Sequence, residues 1–178
     1  AKGLTKPVKT GDSVIVTGRI GVYSQQGKYQ IYASSFEMAG IGELYQKFEQ
    51  LKAEFKEMGM FDESYKRPIP VYSTKIGVVT ARTGAAIHDI ITTATRRNPH
   101  IQIILYPSLV QGEGAAESIA KGIETLDGMD LDVIIVGRGG GSIEDLWAFN
   151  EEEVARAIFA CDTPVISAVG HEVDFTIA

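Results

Sequence analysis

Between Val133 and Val136 four branched apolar residues run without interruption and stop at Gly137. A run that short, apolar and sharply ended fits a strand buried on both faces, as in the middle of a parallel sheet. Such a strand needs helices above and below it, which commits the surrounding chain to an α/β arrangement. The loop after the strand is equally particular. Four of the five residues from Gly137 to Gly141 are glycine, and the fifth is Arg138. Ser142 then stands where it can cap a helix, with Glu144 and Asp145 in the first turn. A loop of this kind bares backbone N–H groups, and a guanidinium adds a forked donor. Arg138 with Gly137, Gly139, Gly140, Gly141 and Ser142 therefore reads as a phosphate-handling site.

Strand and helix alternate around that run. Residues 75–80, 101–106, 133–137 and 164–169 have strand character. Helical spacing fills 84–97 and 113–126, where Ile119, Ile123 and Leu126 face inward, and shorter helices are expected over 143–149 and 151–160. The pattern predicts a parallel, doubly wound (Rossmann-like) sheet with right-handed crossovers. Ligands of such sheets bind outside the carboxyl ends of the strands. The stretches 80–84, 106–112, 137–142 and 170–174 fall there, and each is polar and contains glycine.

The last of these holds His171 and Asp174. An imidazole just past a buried strand can take or give a proton near neutral pH. A carboxylate three residues on can orient it, hold a metal ion or position water. Asp89 lies about one and a half turns into the helix after the first strand. Among the apolar neighbours of 85–91 it needs a partner if it faces inward, and none if it faces solvent. His88 and Trp147 read as structural, and Arg96 and Arg97 suit a helix C-terminus. The glycine loop nearly fits the dinucleotide fingerprint, but Ser142 stands at the third glycine position and no acid ends the next strand. A Walker loop is excluded because no Gly-Lys-Ser/Thr follows.

The 178 residues carry a net charge of −6, awkward for a phosphate-handling protein, but the charge is unevenly spread. Residues 1–35 hold five Lys/Arg against one Asp, whereas 68–178 hold seven against fifteen acids. A polyanion would meet the basic N-terminal piece first. There, 13–20 and 29–33 read as strands joined through a turn region at 21–28. Arg19, Tyr23, Lys28 and Tyr29 place cations beside aromatics, as in single-strand binders where bases stack on rings. Residues 41–58 have the spacing of a helix with one apolar face, ended by Gly59. The organisation expected is a partial β-domain over 1–35, a linker helix over 36–67 and an α/β domain over 68–178. The single cysteine, Cys161, excludes an intrachain disulfide and reads as a small buried hydrophobe. With no signal peptide and no apolar run near the ~20 residues of a membrane span, the expected setting is the cytoplasm, with no membrane partner.

The runs IGVVTARTGAAIHDI, RRNP, YPSLVQGEGAA, IIVGRGGGSIEDLWAFNEEEVARAIF and PVISAVGHEVDFTIA closely resemble the large subunit of bacterial exodeoxyribonuclease VII. The similarity is strong over about 68–178, while 8–67 resemble the end of that family's OB-fold and the linker before its nuclease domain. The resemblance implies hydrolysis of single-stranded DNA from both 5′ and 3′ ends to 5′-phosphate products. It implies several copies of a small helical subunit as partners. It also implies that the nuclease domain continues past Ala178 into a region that recruits them. The positions matching the family's functional residues are Asp89, Arg138, His171 and Asp174. Ala81-Arg82 stands where the family usually has Ser-Pro. A divalent metal such as Mg²⁺ on Asp89 and Asp174 is compatible with these residues and not demanded by them. Two other readings stay open: a non-catalytic scaffold for single-stranded DNA, and an enzyme binding a nucleotide or sugar phosphate.

Overall fold

A computed structural model describes residues 14–23, 27–38, 41–171 and 174–178. Lys2, Lys6, Lys9, Ser13, the 24–26 part of the hairpin turn, and Glu172 and Val173 lie outside the described residues. The chain divides into two units, one up to Lys47 and one from Phe48 on.

The first unit holds an antiparallel pair, β1 (Val14–Tyr23) and β2 (Lys28–Met38), followed by the start of α1 (Ile41–Glu57). The strands run further than the sequence alternation suggests. The register shifts between Thr17 and Gly18, and the Ser34 hydroxyl donates to the Thr17 carbonyl at 2.9 Å. A bulge of this kind breaks the period-2 pattern of side chains without ending the backbone pairing. Ile20, Val22, Tyr29 and Ile31 share one face of the ribbon and are all exposed. Two strands do not make a stable sheet by themselves.

The second unit begins within α1, whose Phe55 is completely buried, and passes a 3-10 turn at Glu63–Tyr65. An extended segment containing Pro68 and Pro70 leads into β3 (Lys75–Thr80). Then come α2 (Ala85–Arg97), β4 (Gln102–Pro107), α3 (Ala115–Asp127) and β5 (Val133–Arg138). The last elements are α4 (Ile143–Leu146), a 3-10 turn at Trp147–Asn150, α5 (Glu152–Ala160) and β6 (Val165–Val169). All four strands of this sheet are parallel, in the order β4-β3-β5-β6. The α/β expectation holds, and the branched run is central: Val78, Val79, Ile134 and Val136 are fully buried.

The order explains the layering. β3 to β4 steps one way and β4 to β5 steps back past β3, so right-handed crossovers put α2 and α3 on opposite faces. α5 packs against α3, and Ile119, Ile123, Leu126, Phe149 and Val154 fill that side of the core. The spacing predicts a single helix over 143–149. Instead α4 tightens to a 3-10 turn after one turn, and the buried Asn150 that ends it turns its side chain to the C-terminal residues. Its Oδ1 accepts the Ile177 N–H at 2.9 Å, and the Phe149 carbonyl accepts the Ala178 N–H at 3.1 Å. Cys161 is buried, as expected, and its thiol is pushed up to about 12, chiefly by burial and by the Asp127 carboxylate. Among the described residues no helix is long and apolar enough to cross a membrane.

At the amino-terminal end of the sheet, Asp132 ties two strands together. Its Oδ2 accepts the backbone N–H groups of Thr74 and Lys75 at 2.6 and 2.8 Å and the Thr74 hydroxyl at 3.1 Å. The Thr74 amide, then that of Lys75, holds the carboxyl below the ordinary aspartate range. A depressed carboxyl stabilises the fold above its unfolded value of about 3.9 and loses that contribution as pH falls further. Thermal unfolding followed from neutral pH down to about pH 3 should show Tm falling in acid. In Asp132→Asn, Tm should start lower and fall less steeply.

Candidate active site

The crevice of a doubly wound sheet opens where the winding reverses, and here that is between β3 and β5. A cavity of about 260 Å³ lies at this point, lined by Thr80, Thr83, the first turn of α2, Gln111, Arg138 and Gly139. β3, the β4 loop and β5 thus deliver residues to one rim. The β4 loop is fixed there by backbone and side chain together. Ser108 N–H donates to the Thr80 carbonyl at 2.9 Å, and the Ser108 and Ser118 hydroxyls lie 2.9 Å apart.

Arg138 ends β5 half-buried. Its Nη1 donates to the Asp145 carbonyl at 2.7 Å and its Nε to the Gly139 carbonyl at 3.1 Å. These bonds fold the guanidinium over its own loop, and Nη2 donates to no described residue. The loop is closed by the expected cap, in which the Ser142 hydroxyl accepts the Asp145 N–H. In return the Asp145 carboxylate accepts the Ser142 N–H and hydroxyl at 3.1 Å each. The Ser142 amide, then its hydroxyl, and also the nearby Arg138 charge keep the Asp145 carboxyl below its usual range. In the sequence Asp145 is one acid in a helix turn. In the fold it holds both the cap and, through its carbonyl, the arginine.

β6 delivers His171. Backbone pairing sets Arg138 opposite Val169, and the Gly170 N–H donates to the Arg138 carbonyl at 3.1 Å. The imidazole lies directly on Gly140: a Cβ built there would fall 2.0 Å from its Cε1 and 2.4 Å from Nδ1. Only glycine leaves room for this contact, which brings His171 to the arginine loop. Asp174 acts differently from the expected orienter of the ring. Its Oδ2 accepts the His171 backbone N–H at 2.7 Å, while Nδ1 of the imidazole is 3.8 Å away. Gly170 serves the same turn. It has φ +71°, and a Cβ there would lie 2.4 Å from the Asp174 Oδ2. The carboxylate therefore shapes the turn that aims the imidazole.

Asp89 does not join them. It is the fifth residue of α2, is exposed, and its side chain makes no hydrogen bond or ion pair with a described residue. It starts from the correct edge of the sheet, since the first turn of α2 lines the crevice, but it is outside that lining. Of the two conditional readings for Asp89, the outward-facing one holds, and it needs no partner. His88 is likewise exposed. Among the described residues no three His, Cys, Asp or Glu side chains come together as a metal-ligand group. Asp174 has one oxygen engaged by its own turn, and the guanidinium and bare N–H groups at Arg138 suit an anion.

In the first unit, the cross-strand pairs Arg19–Tyr32 and Tyr23–Lys28 share one face of the hairpin. Arg19 sits over the Tyr32 ring at 5.3 Å. Tyr29 pairs with Val22 and lies on the other, apolar face, so the four residues grouped by sequence divide three to one. Thr80, at the start of the polar stretch 80–84, is a further residue of the crevice rim. The signal for it is a hydroxyl at the last position of β3, directly after the apolar Ile76 to Val79.

Residues 60–178 match the family model described as exonuclease VII, large subunit. Among curated relatives, one from Lachnoclostridium phytofermentans is 57% identical over 176 residues, covering 99% of this chain and 44% of the relative. One from Clostridium tetani is 54% identical, covering 100% and 45%, and one from Bacillus cytotoxicus is 59% identical, covering 94% and 38%. All three carry the name exodeoxyribonuclease 7 large subunit. The chain spans less than half the length of each.

Proposed function

We propose, from the premise that this chain belongs to the exonuclease VII large-subunit family, that it carries the phosphodiester-cleaving centre of a nuclease acting on single-stranded DNA. The observation that supports this most directly is the packing of the His171 imidazole on Gly140, two residues from Arg138. A cation, a run of bare N–H groups and a proton-transfer group then meet at adjacent strand ends. Arg138 and the N–H groups of Gly139 to Gly141 hold the scissile phosphate and the charge that develops on it. Water attacks phosphorus, the bond from phosphorus to the 3′ oxygen breaks, and a 5′-phosphate is left. His171 accepts the proton from the water or supplies one to the departing oxygen. Asp174 keeps the His171 turn in place, and Asp89 stands on the approach along α2.

In the same reading, residues 1–35 belong to a partial OB-fold, 36–67 link it onward, and 68–178 are the nuclease domain. The Arg19, Tyr23, Tyr32 and Lys28 face of the hairpin guides the strand by charge and stacking. Degradation proceeds from both DNA ends in the cytoplasm, with several copies of a small subunit bound outside the described residues. The test is a gel of labelled single- and double-stranded oligonucleotides incubated with the full-length protein and its partner, with and without chelator. Short products from the single strand alone are expected. Salt-sensitive binding with no product would leave a scaffold in place of an enzyme.

A further inference from the structure

We infer that the crevice between β3 and β5 is a second anion subsite, which takes the phosphate monoester of a nucleotide beside the group being cleaved. The identity of the anion rests on the nuclease reading above; the existence of the subsite rests on four features of the crevice. The first is Thr80. It is only 2% exposed, it lines the cavity, and its hydroxyl bonds to no described residue. Among the described residues no buried side-chain oxygen or nitrogen lacks a partner, so the Thr80 hydroxyl keeps access to the crevice, where an anion oxygen would accept from it. The second is the start of α2. Its N-cap is Gly84, with no side-chain cap, so the N–H groups of the first turn open into the same space. The third is Arg138, which also lines the crevice while its Nη2 remains unbonded to described residues.

The fourth feature is charge selection. Residues 68–178 carry more than two acids for each Lys or Arg, yet no acid lines this crevice. A larger cavity of about 830 Å³ shows the contrast, since Glu113, Glu117, Glu144, Glu151, Glu152 and Glu153 line it. An anion would be repelled there and drawn to the crevice. Size narrows the ligand further. The space of about 260 Å³ holds a phosphate group and stays open to solvent on one side. It falls below the ~300–1,000 Å³ usual for drug-sized ligands, which favours a small anion over a dinucleotide cofactor.

Calorimetric titration of the full-length protein in its natural assembly with inorganic phosphate, thymidine 5′-monophosphate and thymidine tests this. Phosphate and the monophosphate should bind, and thymidine should not. Thr80→Val should weaken phosphate binding by about tenfold, the loss expected for one hydrogen bond to a charged group. Thr80→Ser, which keeps the hydroxyl, should bind phosphate within about twofold of the unaltered protein. Melting without ligand checks that each variant is folded. Equal phosphate affinity in Thr80→Val, equal weakening in Thr80→Ser, or thymidine binding as tightly as its monophosphate would overturn the subsite. None of these readouts involves turnover, so the subsite can fail while strand cleavage stands, and cleavage can fail while phosphate still binds.

Discussion

Replacing His171 by alanine should lower cleavage of single-stranded DNA by about 10²–10⁴-fold, the range for losing a general acid or base. The side chain is 72% exposed and touches the loop at Gly140, so its removal opens no cavity in the core. Melting temperature should therefore stay near that of the unaltered protein. Arg138→Ala should cost about 10²–10³-fold, comparable to removing a donor aimed at developing charge. It also releases the Asp145 carbonyl and Gly139 carbonyl from their bonds, so a small loss of stability should accompany the loss of activity. The measurement is an initial rate on a labelled oligonucleotide, with circular dichroism and melting on the same samples. Full activity in folded His171→Ala would end the assignment of this site.

The second large effect is expected from a residue with no functional group. In Gly140→Ala the new methyl group would occupy the place of the imidazole, 2.0 Å from Cε1. The ring is the mobile end of an exposed side chain, so it should yield while the backbone stays. The result is a displaced proton-transfer group in a folded protein. A shift of about 1 Å in such a group can cost ~10²-fold. Gly139 offers an internal comparison, because a Cβ there has no heavy atom within 4 Å. Gly139→Ala should therefore lose much less activity than Gly140→Ala. If the two losses are equal, the contact between the ring and the loop does not matter to the chemistry. A spectroscopic readout such as the His171 ring resonance should move in Gly140→Ala and stay in place in Gly139→Ala.

Much of the sheet can be read directly from the chain. Strands buried on both faces leave an uninterrupted apolar run, and 75–80 and 133–137 match β3 and β5 to within a residue. Helices next to a sheet leave a period of 3.6, and Ile119, Ile123 and Leu126 are inward as that period requires. The Ser142 cap is legible because its chemistry is local: the donor and acceptor sit three residues apart. The second strand of the hairpin reads too short, because the extra residue Ser34, opposite the Thr17/Gly18 step, interrupts the side-chain alternation by which a strand is recognised. Asp89 and Tyr29 show the other limit. Both residue types suit the roles that sequence suggests for them. Yet Asp89 stays outside the crevice lining, and strand register turns Tyr29 away from Arg19, Tyr23 and Lys28.

Local order along the polymer was therefore enough to read an α/β sheet, its glycine–arginine loop and the Ser142 cap. Strand order was not written in any one segment. Only the packed sheet, by placing β5 between β3 and β6, decided that His171 would rest on Gly140 and that Thr80 would share a crevice with Arg138. The reason is physical: helix and strand propensities act over a few residues, whereas neighbours in a sheet are chosen by burial and crossover handedness across the whole domain. A side chain's partners across that sheet follow from the second kind of constraint.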